Sequence, residues 1–537
     1  MSFDDVKDEV MMKHVCGYRP VAIKMLLCFL YALSGTELAA QDRGVGQMIP
    51  RIKHLVVIIQ ENISFDHYFA TYPRAANLQG EPVFKARHGT PSINGLDAGL
   101  LTHNPNSFKP FRIDRSRQRT CGPTPAYTAE QKAFHAGLMD KFPQFTGQIS
   151  NTNPPCDFGL GTDVVMGYYD GNTVTAVWNY AQHFAMSDNF FGTTFGQSAP
   201  GHVNLISGQT HGLIVTRAGA DIDSVVVEGT MSGPGGPAFD DCGQATGTLV
   251  ALTGLNVGDL MNAKGISWGY FSGGFTPTSR NVDGSAICGT FHTAITGIST
   301  LDYTPNHEPF QKYASTANPH HLPPTSISMI GHTDEANHQY DLNHFWEAAS
   351  AGNLPSVSFL EAAAYQSGHA QASAPLDEQV FLVETINRLQ ALPEWESTAV
   401  IITYDDSGGW YDHVMPPIVS QSNIRLDALM GDSSCGTPAP GTYQGRCGYG
   451  PRLPLLVISP WAKVNFVDHG VTDQSSILRF IEDNWDLGRI GDQSFDERAG
   501  PLLPLFDFSA PHIRKVLLDA TTGQPIKDRE RQTLAHP

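Results

Sequence analysis

Four short runs of branched apolar residues constrain this chain more than any other feature: "HLVVII", "SVSFLE", "TAVIITY" and "LPLLVIS". They have strand length, and most lack the apolar–polar alternation of a sheet with one wet face. That is how strands read when both faces are covered. Helical patterns lie between them. In "LDEQVFLVETINRLQAL", Val380, Val383, Ile386 and Leu389 recur three apart on one face. "SSILRFIEDNW" follows an N-cap candidate, Asp473 or Ser475. Strands alternating with helices predict an α/β fold with a mostly parallel sheet and helices on both faces.

The remaining segments read as loops. Residues 85–130 are rich in Pro, Arg and Thr, 210–300 is Gly-rich with little periodicity, and 418–450 is a surface excursion. We read them as insertions on one domain spanning 41–537, since large α/β enzymes often hold such a length as one body. With 41% hydrophobic residues the chain can bury a sizeable core. A formal charge of −19 excludes a nucleic-acid partner, which would demand a basic face. Nothing in the sequence fixes the oligomeric state.

The first 40 residues resemble an export leader. Lys13, Arg19 and Lys24 precede the apolar run "MLLCFLYAL", which is short for a membrane span. Secretion or periplasmic export is therefore expected, with cleavage after "ALS" or "LAA". Six cysteines remain beyond the leader: Cys121, Cys156, Cys242, Cys288, Cys435 and Cys447. An even number without a CxxC pair favours disulfides in an oxidising compartment. Pairing of neighbours (121–156, 242–288, 435–447) is the simplest connectivity; six reduced core cysteines are the rival reading.

Ligands of open α/β sheets bind beyond the carboxyl ends of the strands. "HLVVIIQ" runs out at Glu61 and Asn62, and "TAVIITY" at Asp405 and Asp406. Three carboxylates and an amide at neighbouring strand ends repel one another unless a cation lies between them. Oxygen ligands suit Mg²⁺, Ca²⁺ or Mn²⁺, with Zn²⁺ as a further candidate. The plainer alternative has Asp405 and Asp406 capping the turn before Gly408 and Gly409, with Glu61 paired to a basic residue.

Ser198 lies in the Gly-rich segment "FFGTTFGQSAPGHVNLISGQT", just before an expected helix "GHVNLISG". A helix N-terminus favours an anion, and a serine presented there is either a nucleophile or an ordinary N-cap. His307, His369 and His413 each lie in a loop where an imidazole can reach a ligand, although loop histidines are often incidental. His413 is also placed to steady the aspartates from behind.

Taken in order, "QENISFDHYF", "GQSAPGHVNLISG", "YDDSGGWYDHV" and "GPRLPLLVISPWA" resemble the bacterial phosphoesterase family of acid phosphatases and phosphocholine-type phospholipases C, in the alkaline-phosphatase-like superfamily. The resemblance covers residues from about 50 to about 490. It implies one divalent metal held by Glu61, Asn62, Asp405 and Asp406, with Ser198 completing the site as nucleophile. His307 and His369 match family imidazoles facing the phosphate and the leaving group. The implied reaction is hydrolysis of a phosphate ester through a phosphoserine.

The chain departs from that pattern in places. Asn306 precedes His307 where relatives often have two histidines, Gly408 stands where an acidic residue is common, and Thr124 and Pro125 stand near where some carry a histidine. His103 and His135 are the candidates to replace that last imidazole. A serine nucleophile, and Ile63 where phospholipase-like relatives have arginine, favour an acid phosphatase. Phospholipase C acting on phosphatidylcholine-type lipid is the alternative, with Trp268, Trp410 and Tyr411 as candidates for a choline cage. A non-catalytic secreted binding protein is a third reading. A sulfatase lacks its Cys/Ser-x-Pro-x-Arg segment here.

Overall fold

Leu55, Val56, Val57, Ile58 and Ile59 are all fully buried, because the strand they form runs through the middle of an eight-stranded sheet. In chain order the strands are β1 (His54–Gln60), β2 (Ala185–Ser187), β3 (Trp268–Ser272), β4 (Gln339–Asp341), β5 (Val357–Glu361), β6 (Thr398–Tyr404), β7 (Leu455–Ile458) and β8 (Phe466–Asp468). Their order across the sheet is β4-β3-β5-β1-β6-β7-β2-β8. This computed structural model describes residues 51–149, 156, 158–243, 246–429, 431–513 and 515–526. The expected leader, with Cys16 and Cys28, lies outside the described residues.

All four branched runs become strands of this sheet, and the sheet is mostly parallel. β7 is the exception: it pairs antiparallel with both β6 and β2. "LPLLVIS", read as a parallel strand, therefore runs the other way. Burial on both faces sets its composition, and composition carries no direction. The 210–300 stretch also differs from expectation, because it contains β3. That strand is aromatic rather than branched, and Gly269 interrupts it, with no room for a Cβ between Phe271 and Tyr340.

Five helices matter for the site: α1 (Phe65–Phe69), α2 (Tyr127–Phe134), α3 (Ser198–Ser207), α4 (Pro375–Ala391) and α5 (Gln474–Trp485). On α4, Val383, Ile386 and Leu389 are buried as their spacing predicts, together with Phe381 and Leu382, while Val380 is only partly buried. α5 starts at Asp473, whose side chain accepts from the Ser475 N–H, so the aspartate is the N-cap. It packs against α3. α3 begins three residues before the expected start at Gly201: Gln197 is its N-cap and Ser198, expected ahead of the helix, is its first residue.

Three disulfides join Cys121–Cys156, Cys242–Cys288 and Cys435–Cys447, with Cα separations of 5.1, 5.7 and 6.0 Å. These are the neighbour pairs. Among the described residues no helix is long and apolar enough to cross a membrane.

Candidate active site

The sheet places three carboxylates side by side. β5 and β6 flank β1, in a register where Ile59 faces Glu361 and Gln60 faces Tyr404. Glu61, Glu361 and Asp405 thus emerge together at the carboxyl ends of three adjacent strands. Asn62 leaves β1 in the left-handed region (φ 61°), which asparagine tolerates better than most residues, and the turn aims its side chain back toward Glu61.

α3 brings Ser198 to this edge. Its Oγ lies 3.0 Å from Asp406 Oδ2 and 3.4 Å from Glu61 Oε2, and accepts from Asn62 Nδ2 at 3.2 Å. The approach needs a residue without a side chain at Gly201, where a Cβ would lie 2.1 Å from the Asp405 carbonyl oxygen. Asp405 Oδ1 accepts from the backbone N–H groups of Asn62 (2.9 Å) and Asp406 (2.7 Å). Glu61, Asn62, Ser198, Asp405 and Asp406, singled out in the sequence, lie in one buried cluster.

Two members were missed. His202, one turn after Ser198 on α3, is fully buried with Nε2 3.3 Å from Glu61 Oε1 and 3.8 Å from Asp405 Oδ2. Glu361 lies 3.8 Å from His202 Nδ1 and 3.5 Å from His307 Nδ1. Both residues sit inside segments the sequence had flagged. The strand-end rule applied to "SVSFLE" points to Glu361, and a spacing of four from Ser198 puts His202 on the same helix face.

The predicted histidines diverge. His307 Nδ1 lies 2.7 Å from Glu61 Oε1, and the His307 ring stacks on His202 with centroids 4.9 Å apart. The His369 ring instead bonds the Ala370 carbonyl, and makes no hydrogen bond to the cluster among the described residues. Its loop is nonetheless attached, since the Glu61 N–H donates to the Ser367 carbonyl (2.9 Å). His413 does not steady Asp405 or Asp406: it pairs with Asp66 at 2.7 Å, beside buried Arg452, which bridges Asp66 and Asp412. His103 and His135 are exposed, and His135 pairs with Asp140, so neither supplies the missing imidazole.

The aromatic candidates form no open cage. Trp410 stacks on His67 (centroids 3.7 Å apart), Trp268 on His338 (4.4 Å), and Tyr411 meets Phe142 edge-on, all three buried. Gly408 has a physical reason to lack the acidic side chain. Its φ is +61° and a Cβ would come within 2.4 Å of the Asn62 carbonyl oxygen.

A buried glutamate from α2 braces the site from behind. Glu130 accepts from the Ser407 hydroxyl (2.5 Å) and from the Gly196 N–H (3.0 Å), tying the aspartate turn to the serine turn. Burial pushes its carboxyl well above the usual range, and Asp406 nearby adds to that.

The charges show what the cluster can hold. Burial raises Glu61, but His307 and His202 outweigh it and keep its carboxyl well below the ordinary value. Asp405 is pushed well up by burial, then by Glu61 and Asp406. Burial and Glu61 bring Asp406 up to about 7. Asp405 Oδ2 is buried with no hydrogen-bond partner among the described residues. An orphaned carboxylate oxygen among repelling neighbours fits a divalent cation. Glu61, His202, His307 and Glu361 also offer ligand atoms within 4.8 Å of one another. The donor set is thus mixed nitrogen and oxygen rather than oxygen alone, which brings Zn²⁺ and Mn²⁺ level with Mg²⁺ and Ca²⁺.

The model of the Phosphoesterase family matches residues 52–488. A non-hemolytic phospholipase C of Pseudomonas aeruginosa is 24% identical over 478 residues, covering 86% of this chain and 58% of that protein. A non-hemolytic phospholipase C of Burkholderia pseudomallei is 26% identical over 501 residues, covering 89% and 62%. Phospholipase C B of Mycobacterium tuberculosis is 22% identical over 471 residues, covering 86% and 78%. The chain therefore spans about three fifths of the two non-hemolytic enzymes. A solved protein in the alkaline phosphatase superfamily from Vibrio parahaemolyticus aligns at 10% identity over 67% of this chain and 77% of that one, with a TM-score of 0.28.

Proposed function

Because the chain belongs to the Phosphoesterase family, we propose that it is a metal-dependent hydrolase of phosphoric esters, of phospholipase C type, with Ser198 as nucleophile. One observation supports this above others: Ser198 Oγ sits at the start of α3 within 3.4 Å of Asp406, Asn62 and Glu61. A helix start favours the phosphate, and the surrounding carboxylates suit a cation beside it.

Glu61, Asn62, Asp405 and Asp406 would hold the metal, with His202, His307 and Glu361 within reach of it. When bound, the cation supplies Lewis acidity, favouring the ionised serine and offsetting charge on the phosphoryl oxygens. Ser198 Oγ attacks phosphorus, the alcohol leaves with the bonding electrons and a proton, and water then displaces the phosphoryl group from serine. His369 is the better proton donor of the two predicted histidines. Its Nδ1 is taken up by the Ala370 carbonyl, leaving Nε2 without a partner among the described residues. His307, held between Glu61 and Glu361, orients those carboxylates.

The residues alone placed an acid phosphatase first, through Ser198 and Ile63. The relatives reported above are named phospholipase C, and their names reverse that order. Phosphomonoester hydrolysis remains the second reading, favoured by the absence of an open aromatic cage around Trp268, Trp410 and Tyr411. We place the protein outside the cytoplasm, as one phosphoesterase domain behind an export leader. Three disulfides support an oxidising compartment.

Hydrolysis of phosphatidylcholine and of an aryl phosphate, each with and without chelator, tests the reading. Lipid turnover should exceed aryl phosphate turnover, and chelation should remove both. Ser198→Ala should lower both by about 10⁴-fold or more. Turnover of the aryl phosphate alone would return the assignment to a phosphatase, and activity surviving Ser198→Ala would remove the nucleophile.

A further inference from the structure

A cavity of about 390 Å³ opens between the far part of α3 and the loop closed by the Cys435–Cys447 disulfide. Its volume lies within the range of small-molecule sites. None of Glu61, Ser198, Asp405 or Asp406 lines it, so it is separate from the cluster described above.

Two guanidinium groups line this cavity without an ion pair among the described residues. Arg446 is only 2% exposed. Its Nη atoms donate to the Met231 and Phe195 carbonyls, its Cζ lies 3.9 Å from the Tyr127 ring centroid, and its Nε has no hydrogen-bond partner among the described residues. Arg498, exposed to solvent, rests over Phe495 and makes its one side-chain hydrogen bond among the described residues to the Val419 carbonyl, at 3.4 Å. The acidic group that acts on Arg446, buried Asp427, does so across Tyr127, whose hydroxyl donates to that carboxylate, and it lies outside the cavity lining. This chain carries 53 acidic residues against 34 basic ones, so counter-charges are plentiful, yet no Asp or Glu lines the cavity among the described residues. The carboxylate beside the rim, Asp492, is already engaged by the Tyr443 hydroxyl at 3.1 Å.

The other polar groups fit the same reading. Asn204, 1% exposed, lines the cavity with an Oδ1 that has no hydrogen-bond partner among the described residues, and Gln209, Gln421 and Thr210 stand around it. Arginines supply planar donors suited to phosphate oxygens, and an idle amide oxygen can accept from a protonated phosphate oxygen or an alcohol. From these observations we infer that the cavity is a binding site for a small phosphate-bearing anion, distinct from the Ser198 cluster. The inference is independent of the role of Ser198.

The site can be read locally by arginine modification. The full-length protein is treated with phenylglyoxal, with and without inorganic phosphate or phosphocholine, and labelling is mapped by peptide mass spectrometry. Phosphate or phosphocholine should slow labelling of Arg498 saturably, by at least about fivefold, while exposed Arg74 labels at an unchanged rate. Protection by both probes, or by one of them, supports the site and identifies which source of phosphate fits. Arg446→Gln should abolish the protection. Should that variant fail to fold, Asn204→Leu should weaken the protection instead. Labelling of Arg498 at the same rate with and without both probes would overturn the inference, as would equal protection of Arg74.

Discussion

Asn62 holds two jobs that are separable by substitution. Its backbone sits at φ 61°, and its amide donates to both Glu61 and Ser198. Asn62→Ala loses the amide and adds left-handed strain of about 1 kcal/mol, while Asn62→Gly loses the amide and relieves the strain. Both variants should therefore lose about 10²-fold in kcat if Ser198 is the proposed nucleophile, since each removes the amide that donates to its Oγ. They should differ in thermal stability, with the glycine variant melting above the alanine variant. Equal melting temperatures would show that the turn is not strained, and wild-type kcat in the glycine variant would remove the amide from the chemistry.

Glu130 extends the reasoning from single groups to the turns they join. α2 lies in sequence far from the strand ends, yet its one buried carboxylate receives the Gly196 N–H and the Ser407 hydroxyl at once. Glu130→Ala leaves a buried donor unsatisfied on each turn, at about 1–3 kcal/mol apiece. It should lower kcat more than it raises KM, because Ser198 and Asp406 lose their common brace, and Glu130→Gln should recover much of the loss. A pure fall in expression with unchanged kcat would mean a structural role only. Nothing in "AYTAEQKAF" distinguishes this glutamate from a solvated one, because its partners are turns that close only in the folded chain. β1 and β6 were legible for the opposite reason: their branched runs are dictated by burial on both faces, and their polar ends follow from the sheet. Ser198 was legible through its Gly-rich setting. β3 escaped because aromatic side chains and Gly269 fill a crowded position where branched residues were expected. The reversed direction of β7 escaped because pairing direction leaves no trace in a run of apolar residues.

The same burial that builds the core sets how the molecule responds to pH. Burial, with Tyr404 and Tyr68 donating to it, leaves the Glu378 carboxyl at about 7. Burial and the neighbouring Asp496 push Glu482 on α5 up to about 9, against an ordinary value of 4.5. Both folded values lie above the unfolded ones. The folded chain therefore binds more protons between them, and stability falls as pH rises. The contribution of each group is fully present below its unfolded value and is gone above its folded one. His413, raised by Asp66 against the effect of its own burial, acts in the same direction. Asp66 opposes it, being held low by His413 and Arg452, so its contribution disappears at strongly acid pH. A formal charge of −19 at pH 7 adds self-repulsion that also grows with pH. Buried Lys312, brought down to about 7, acts the other way above that value, so the melting temperature should peak on the acid side of neutrality and fall between about pH 6 and pH 7. Repulsion and proton linkage separate in the double variant Glu378→Gln, Glu482→Gln, which removes only the linkage. At constant ionic strength that variant should show a shallower fall than wild type, by several degrees at the upper end. Parallel curves for the two proteins would assign the whole slope to net charge, and a wild-type melting temperature that climbs from pH 6 to pH 7 would contradict both terms.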